Sequence, residues 1–318
     1  MLIGLARVAD RGPLTAAALA ASLLLAALWM PILMGGGGSP GLLVLASFVA
    51  MFALVCSAAV VAFVALRHGE MSALQVVGGC LVLLIVLSLV LYNSPVHVPL
   101  IAIVFWLPAI LAAIVLARTV RLEYAVLAVV VCGVLSVLGL MLITGDSTEF
   151  WRSQFSASAN IELQQQGDLS ALTPEQHEMF VDGMAKMMTG AMGISVMSIA
   201  LGALFMARAW QAGIFNPGGF QKEFHALSLG RNAALVCVLI VVLGVTIGGQ
   251  LAGAIALVFV FAFFVQGLAV VHALVKQRGM HRYWLHGIYV LLMLPHTLLL
   301  LAALGLADNM FSLRRADT

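Results

Sequence analysis

Gln266, His272 and His296 stand inside stretches of sequence that are otherwise apolar. An amide or imidazole surrounded by hydrocarbon must find a partner, because leaving it unbonded costs roughly 2–7 kcal/mol. Within a bilayer such groups mark solute or ion pathways, or bond one helix to the next. Histidine can also carry a proton. These three are the candidate ligand-binding residues. Two of them have a plainer reading: Gln266 as a bond between helices, and His296 as partner to a carbonyl freed by the adjacent Pro295. No Asp, Glu, Lys or Arg accompanies them inside the apolar stretches, which argues against a proton- or sodium-coupled carrier with a carboxylate relay.

The chain carries no H-E-x-x-H, no G-x-S-x-G and no Walker A loop, so it is not expected to be an enzyme and no cofactor is expected. Cys56, Cys80, Cys132 and Cys237 form no C-x-x-C pair and read as small buried hydrophobes rather than metal ligands. Met179, Met184, Met187, Met188, Met192 and Met197, with His177, are soft donors of the kind copper(I) takes. Their helical spacing favours apolar packing instead, so no metal is expected.

The elements that must position these residues follow from composition. Of 318 residues 63% are hydrophobic, and only 15 basic and 13 acidic side chains are present. A soluble domain has about a quarter of its residues charged, so this chain could not cover its own core in water. About 20 apolar residues span a bilayer as a helix. Charge-free blocks of one or two such lengths give nine spans, at approximately 14–34, 41–66, 71–91, 98–117, 122–144, 190–211, 232–248, 250–275 and 284–306. The blocks are continuously apolar and lack the alternation of a membrane β-strand. The expected fold is an all-α polytopic transmembrane bundle, a single integral membrane domain over 1–318.

With the N-terminus cytoplasmic, inner segments hold Arg7, Arg11, Arg67, Arg118, Arg121, Arg208, Lys222, Arg231, Lys276, Arg278 and Arg282. That is eleven of the fifteen basic residues, the bias that marks an inner face. The outer side keeps Arg152, Lys186, Arg314 and Arg315. The last two sit on the wrong side for this rule, so eight and ten spans remain alternatives. The weakest assignment is the last block, where Pro295 could break the helix and leave part of it re-entrant. The basic residues fall where orientation alone explains them, and nucleic-acid binding is not expected.

Two polar excursions interrupt the bundle. The outer one, 146–189, is acidic, with Asp146, Glu149, Glu162, Asp168, Glu175, Glu178 and Asp182 against Arg152 and Lys186. In its second half Thr173 can cap a helix with Pro174 at the first position. Phe180, Met184, Met187 and Met188 form a stripe opposite Glu178, Asp182 and Lys186, and this helix is expected to run into the next span. The cytoplasmic excursion, 212–231, opens with the turn Asn216-Pro217-Gly218-Gly219. Phe220, Phe224 and Leu227 then share one face of a short interfacial helix. Asn216, Pro217, Gly218, Gly219, Phe220, Phe224 and His225 are the candidate partner-interface residues.

The Asn216 to His225 stretch, the aromatic-basic segment His281-Arg282-Tyr283-Trp284 and the nine-span layout resemble the YybS-like family of bacterial multi-pass inner-membrane proteins. That family is distantly similar to the substrate-binding subunits of energy-coupling-factor vitamin transporters, which bind a solute and dock on a separate ATP-driven module. The resemblance implies a bacterial inner-membrane location and a solute-binding role. It also implies a docking helix with small residues four apart, a pattern offered by Ala16 with Ala20 and Ala17 with Ala21. Those subunits have fewer spans than are counted here.

Two readings of function follow. One is a solute-binding or transport-type subunit with a polar-lined cavity near the bilayer midplane at Gln266 or His296. The other is a scaffold or interaction subunit that meets another membrane protein through the 216–227 segment. The lipid bilayer is the partner common to both.

Overall fold

The structure, a computed structural model, describes residues 2–35, 40–163 and 173–314. Most of the glycine-rich break after the first span (36–39), Asp168 and Arg315 lie outside the described residues. Thirteen helices and no strand are present among the described residues: α1 Leu2–Ala9, α2 Pro13–Gly35, α3 Pro40–His68, α4 Glu70–Tyr92, α5 His97–Thr119, α6 Leu122–Thr144, α7 Ser147–Leu163, α8 Pro174–Phe215, α9 Gly219–His225, α10 Gly230–Ile247, α11 Gln250–Gln277, α12 Tyr283–Leu291 and α13 Pro295–Phe311. Seven of them are long and apolar enough to cross a bilayer, and nine spans result if each of two broken pairs, α9–α10 and α12–α13, counts as one. The protein is an all-α, multi-pass membrane protein, because in lipid only intrahelical bonding satisfies every backbone group of such a segment.

The chain divides into two compact units. The first comprises 1–129, 196–229 and 269–281. Its centre is α3, where every residue from Ala58 to Ala65 is buried. Small side chains make this packing close. Ala16, Ala17, Ala20 and Ala21 of α2 are all buried, which lets Ser57 on α3 donate to the Ala20 carbonyl at 2.7 Å and Cys80 on α4 to the Ala17 carbonyl at 3.1 Å. The alanine pairs that the transporter resemblance would assign to docking are therefore engaged inside the chain. Trp106 on α5, also buried, donates its indole N–H to Ser57 Oγ at 3.1 Å.

Ser57 thus joins three helices through one hydroxyl. Ser57→Ala removes the acceptor of a buried indole N–H, and an orphaned donor costs about 1–3 kcal/mol. The variant is expected to unfold more easily in detergent by that amount. Equal stability, measured by chemical denaturation, would show that the indole finds another acceptor.

The second unit comprises 130–195, 230–268 and 282–318. Its entry to α8 shows a reciprocal cap: Gln176 N–H donates to Thr173 Oγ1 at 3.3 Å, and Thr173 N–H donates to Gln176 Oε1 at 3.0 Å. From Pro174 α8 continues without a break to Phe215. Phe180, Met184 and Met187 are exposed on it, while Asp182 faces α7 and pairs with Arg152, and with Lys186 at 2.5 Å. That bond to Asp182 pushes the Arg152 guanidinium above its ordinary range. Trp151 adds an indole bond to the buried Thr189 at 3.1 Å.

Glycines set the helix spacing in this unit. A Cβ at Gly193 of α8 would come within 2.9 Å of Val137 on α6 and of Val258 on α11. α10 and α11 form a hairpin around Gly248 and Gly249, with Gly244 lying against the Ala252 carbonyl. Gly248 takes a φ of 66°, a left-handed conformation that glycine adopts without a Cβ penalty.

Candidate functional site

A buried polar cluster that includes a carboxylate lies in the second unit, where α13 crosses α11. At the crossing neither helix has a side chain: a Cβ on Gly267 would overlap the Leu301 carbonyl oxygen, and one on Gly305 would overlap the Phe263 carbonyl oxygen and come within 2.8 Å of the Gly267 nitrogen. Backbones that approach this closely bring neighbouring polar groups into bonding range. Gln266 is fully buried and donates to the Gly305 carbonyl at 3.0 Å and to Asp308 Oδ2 at 3.3 Å. Asn309 donates to Gln266 Oε1 at 3.2 Å and to the Gly305 carbonyl at 3.1 Å.

Asp308 is the centre of charge in this cluster. Only 5% of it is exposed, and Arg314 contacts both its oxygens, Nε to Oδ1 at 3.1 Å and Nη2 to Oδ2 at 2.5 Å. A two-pronged guanidinium–carboxylate pair, with Gln266 on a remaining lone pair, satisfies a carboxylate that would otherwise be expensive to bury. Asn309 also reaches α10, its Oδ1 accepting from the backbone N–H of Gly230 at 3.1 Å. Three elements, α10, α11 and α13, are therefore tied by four side chains, one main-chain amide and one main-chain carbonyl.

Asp308 and Asn309 do not stand out in the sequence, and Arg314 does so only as a basic residue on the wrong side for the orientation rule. The charge-free stretch used to delimit the last span ends at Ala307, one residue before the carboxylate, whereas α13 continues to Phe311. The available signal was the helical continuation past Ala307 with an acid six residues before an arginine. Of the residues that were singled out, Gln266 is enclosed by protein groups in this cluster. His296 lies in the first turn of α13 with an exposed side chain.

His272 belongs to the first unit, where the remaining candidates also gather. The Phe224 ring meets His272 edge-on with centroids 5.6 Å apart, and His225 lies 6.2 Å from it. Phe220 and Phe224 pack against Phe205 of α8 at 5.8 and 5.5 Å. The apolar face of α9 is thus turned onto its own chain. What α9 leaves to solvent is Gln221 and Lys222, together with the Asn216-Pro217-Gly218 turn, in which Gly218 takes a φ of 82°.

Arg208 of α8 pairs with Glu223 of α9, its Nε donating to Oε2 at 2.9 Å, and fixes that orientation. Gln211 donates to the Leu66 carbonyl at 3.3 Å. These three polar side chains line a cavity of about 250 Å³ with Leu66, Leu116 and Val120. No group of three or more His, Cys, Asp or Glu is placed to hold a metal ion among the described residues. Neither cluster brings a nucleophile to a base.

Comparison with protein-family models, with curated proteins and with solved structures finds no match. The two sites offer a buried charge pair at the end of α13 and a partly exposed pair, Arg208–Glu223, on a cavity wall.

Proposed function

We propose that the chain is a transport-type membrane subunit whose working element is the broken α12–α13 block. The observation that carries this reading is the buried Asp308–Arg314 pair, held by Gln266, at the end of a discontinuous helix. Ionisable pairs enclosed by membrane helices are costly to keep and mark ion or solute pathways. An internal pair of this kind is silent while closed. A charged solute or an ion that competes for either partner opens it, exposing a carboxylate or a guanidinium without any change of backbone bonding.

The test is a native purification in mild detergent, followed by mass spectrometry of the extracted small molecules and thermal unfolding before and after extensive dialysis. The wild type is expected to retain a charged solute whose removal lowers the melting temperature, and Arg314→Gln is expected to retain less of it. A preparation free of any such molecule, with a melting temperature unmoved by dialysis, argues against this reading.

A scaffold role is favoured by one separate observation, the exposed Asn216-Pro217-Gly218 turn next to Phe215, itself 45% exposed beneath the Arg67 guanidinium at 4.1 Å. Copurification of a second membrane protein that is lost in Phe215→Ala supports it.

A further inference from the structure

We propose that residues 283–314 are a re-entrant hairpin: the last apolar block enters and leaves the bilayer through the face that holds the start of α10. The chain then crosses the membrane eight times, by α2 to α6, α8, α10 and α11, and its C-terminal end lies on the same side as the loop that carries Lys222 and Arg231.

Geometry supplies the first argument. α12 and α13 are bent by 118° across Leu292 to Leu294, past a right angle, so α13 runs partly back along the direction of α12. At 1.5 Å per residue the 9 residues of α12 reach about 14 Å and the 17 of α13 about 26 Å, and with this bend their lengths do not add across a core about 30 Å thick.

The second argument is where the far end is tied. α10 and α11 form a hairpin, so α11 returns to the face from which α10 started, and α12 follows α11 after a short connection. α12 therefore begins at the face of Gly230. The bond from Gly230 N–H to Asn309 Oδ1 places the end of α13 beside that same residue. Both ends of the block are thus at one face, and Arg314, held by Asp308, is there with them.

The bend itself is suited to lipid. Non-helical backbone at membrane depth must have its polar groups satisfied. Here Leu292 N–H donates to the Ile288 carbonyl at 3.0 Å, Met293 to Val290 at 3.1 Å, Leu294 to Leu291 at 2.9 Å and Thr297 to Leu294 at 3.0 Å, while Pro295 has no N–H to satisfy. The side chains presented at the bend, Met293 and Leu294, are apolar and exposed. At the other end of α12, Tyr283 and Trp284 are exposed beside Arg282, the residue types that settle at the lipid headgroup level.

The charge distribution agrees with the geometry. With the block re-entrant, Arg314 and Arg315 join the majority face, and thirteen of the fifteen basic residues share one side, leaving Arg152 and Lys186 opposite. The anomaly of a nine-span count disappears without moving any other helix.

Cysteines added one at a time to the full-length chain at Leu313, Lys222, Val96 and Met293, and labelled with a membrane-impermeant maleimide in sealed vesicles of each orientation against the wild type with its four native thiols as baseline, test the hairpin. Leu313→Cys is expected to react in the same orientation as Lys222→Cys and in the opposite one from Val96→Cys, which lies across the bilayer after α4. Met293→Cys is expected to stay unlabelled in both orientations until detergent is added. Reaction of Leu313→Cys together with Val96→Cys shows a ninth crossing and overturns the proposal. Labelling of Met293→Cys as fast as Lys222→Cys shows that the block lies on the surface and overturns it equally.

Discussion

Gly267→Ala is expected to lose about 3 kcal/mol of stability, the upper end of what overpacking a close interface costs, and Gly305→Ala a similar amount. The reason is the nature of the obstruction. A Cβ at either position meets a backbone carbonyl of the facing helix, which cannot rotate aside as the tip of a side chain can, so α11 and α13 must separate along the crossing. Separation also lengthens the bonds from Gln266 and Asn309 to the Gly305 carbonyl, so the steric and polar losses come together. Gly253, on the same helix but with open space where its Cβ would go, is the control: Gly253→Ala is expected to be neutral or to stabilise by up to about 1 kcal/mol through helix propensity. Because both crossing glycines relieve the same contact, the double variant should lose less than the sum of the singles. Denaturant titration in detergent micelles reads all four proteins; a Gly267→Ala curve that coincides with that of Gly253→Ala would mean that the two helices do not touch there.

Asp308→Ala is expected to cost about 3–5 kcal/mol, the loss seen when one partner of a buried pair is removed and the other charge is left behind. Arg314 is mostly enclosed, with 13% of its side chain exposed, and Gln266 would lose an acceptor at the same time. Replacing both charges, as Asp308→Leu with Arg314→Met, is expected to recover most of that loss, since a well-packed apolar pair removes the desolvation penalty along with the attraction. The cycle of single and double variants gives the coupling directly. If the single variant unfolds within about 1 kcal/mol of wild type, the pair is solvated in the membrane-embedded protein and cannot serve as the enclosed switch proposed above. Recovery of stability in the double variant without recovery of the retained solute would separate the structural contribution of the pair from its role in binding.

The residues that sequence reasoning picked out fared unevenly, for reasons that lie in what a window of sequence can register. Gln266 was legible because an amide in an apolar run is conspicuous whatever surrounds it. Asp308 was passed over because a carboxylate at the edge of an apolar run looks the same whether it faces water or is buried against an arginine six residues on. The spacing of Phe220 and Phe224 puts them on one face of a short interfacial helix, but it does not say which neighbour that face meets; Phe205 and His272 occupy it.

What the sequence determined by itself is the solvent and the element type. Charge-free runs of span length, too apolar for water, can bury their backbone polar groups in lipid only as helices, and this requires no knowledge of the neighbours. The start of α8 at Thr173 was equally local, because a cap and its first turn are bonded within four residues. Only the tertiary structure decided that the last block folds back at Leu292 to Leu294, that α11 and α13 cross at two bare glycines, and that a carboxylate, a guanidinium and two amides meet beside them. The crossing, and the meeting of Gln266 with Asp308 and Asn309, depend on contacts between residues some forty positions apart along the chain, where spacing carries no information and only the packed backbones set which groups come within reach of one another.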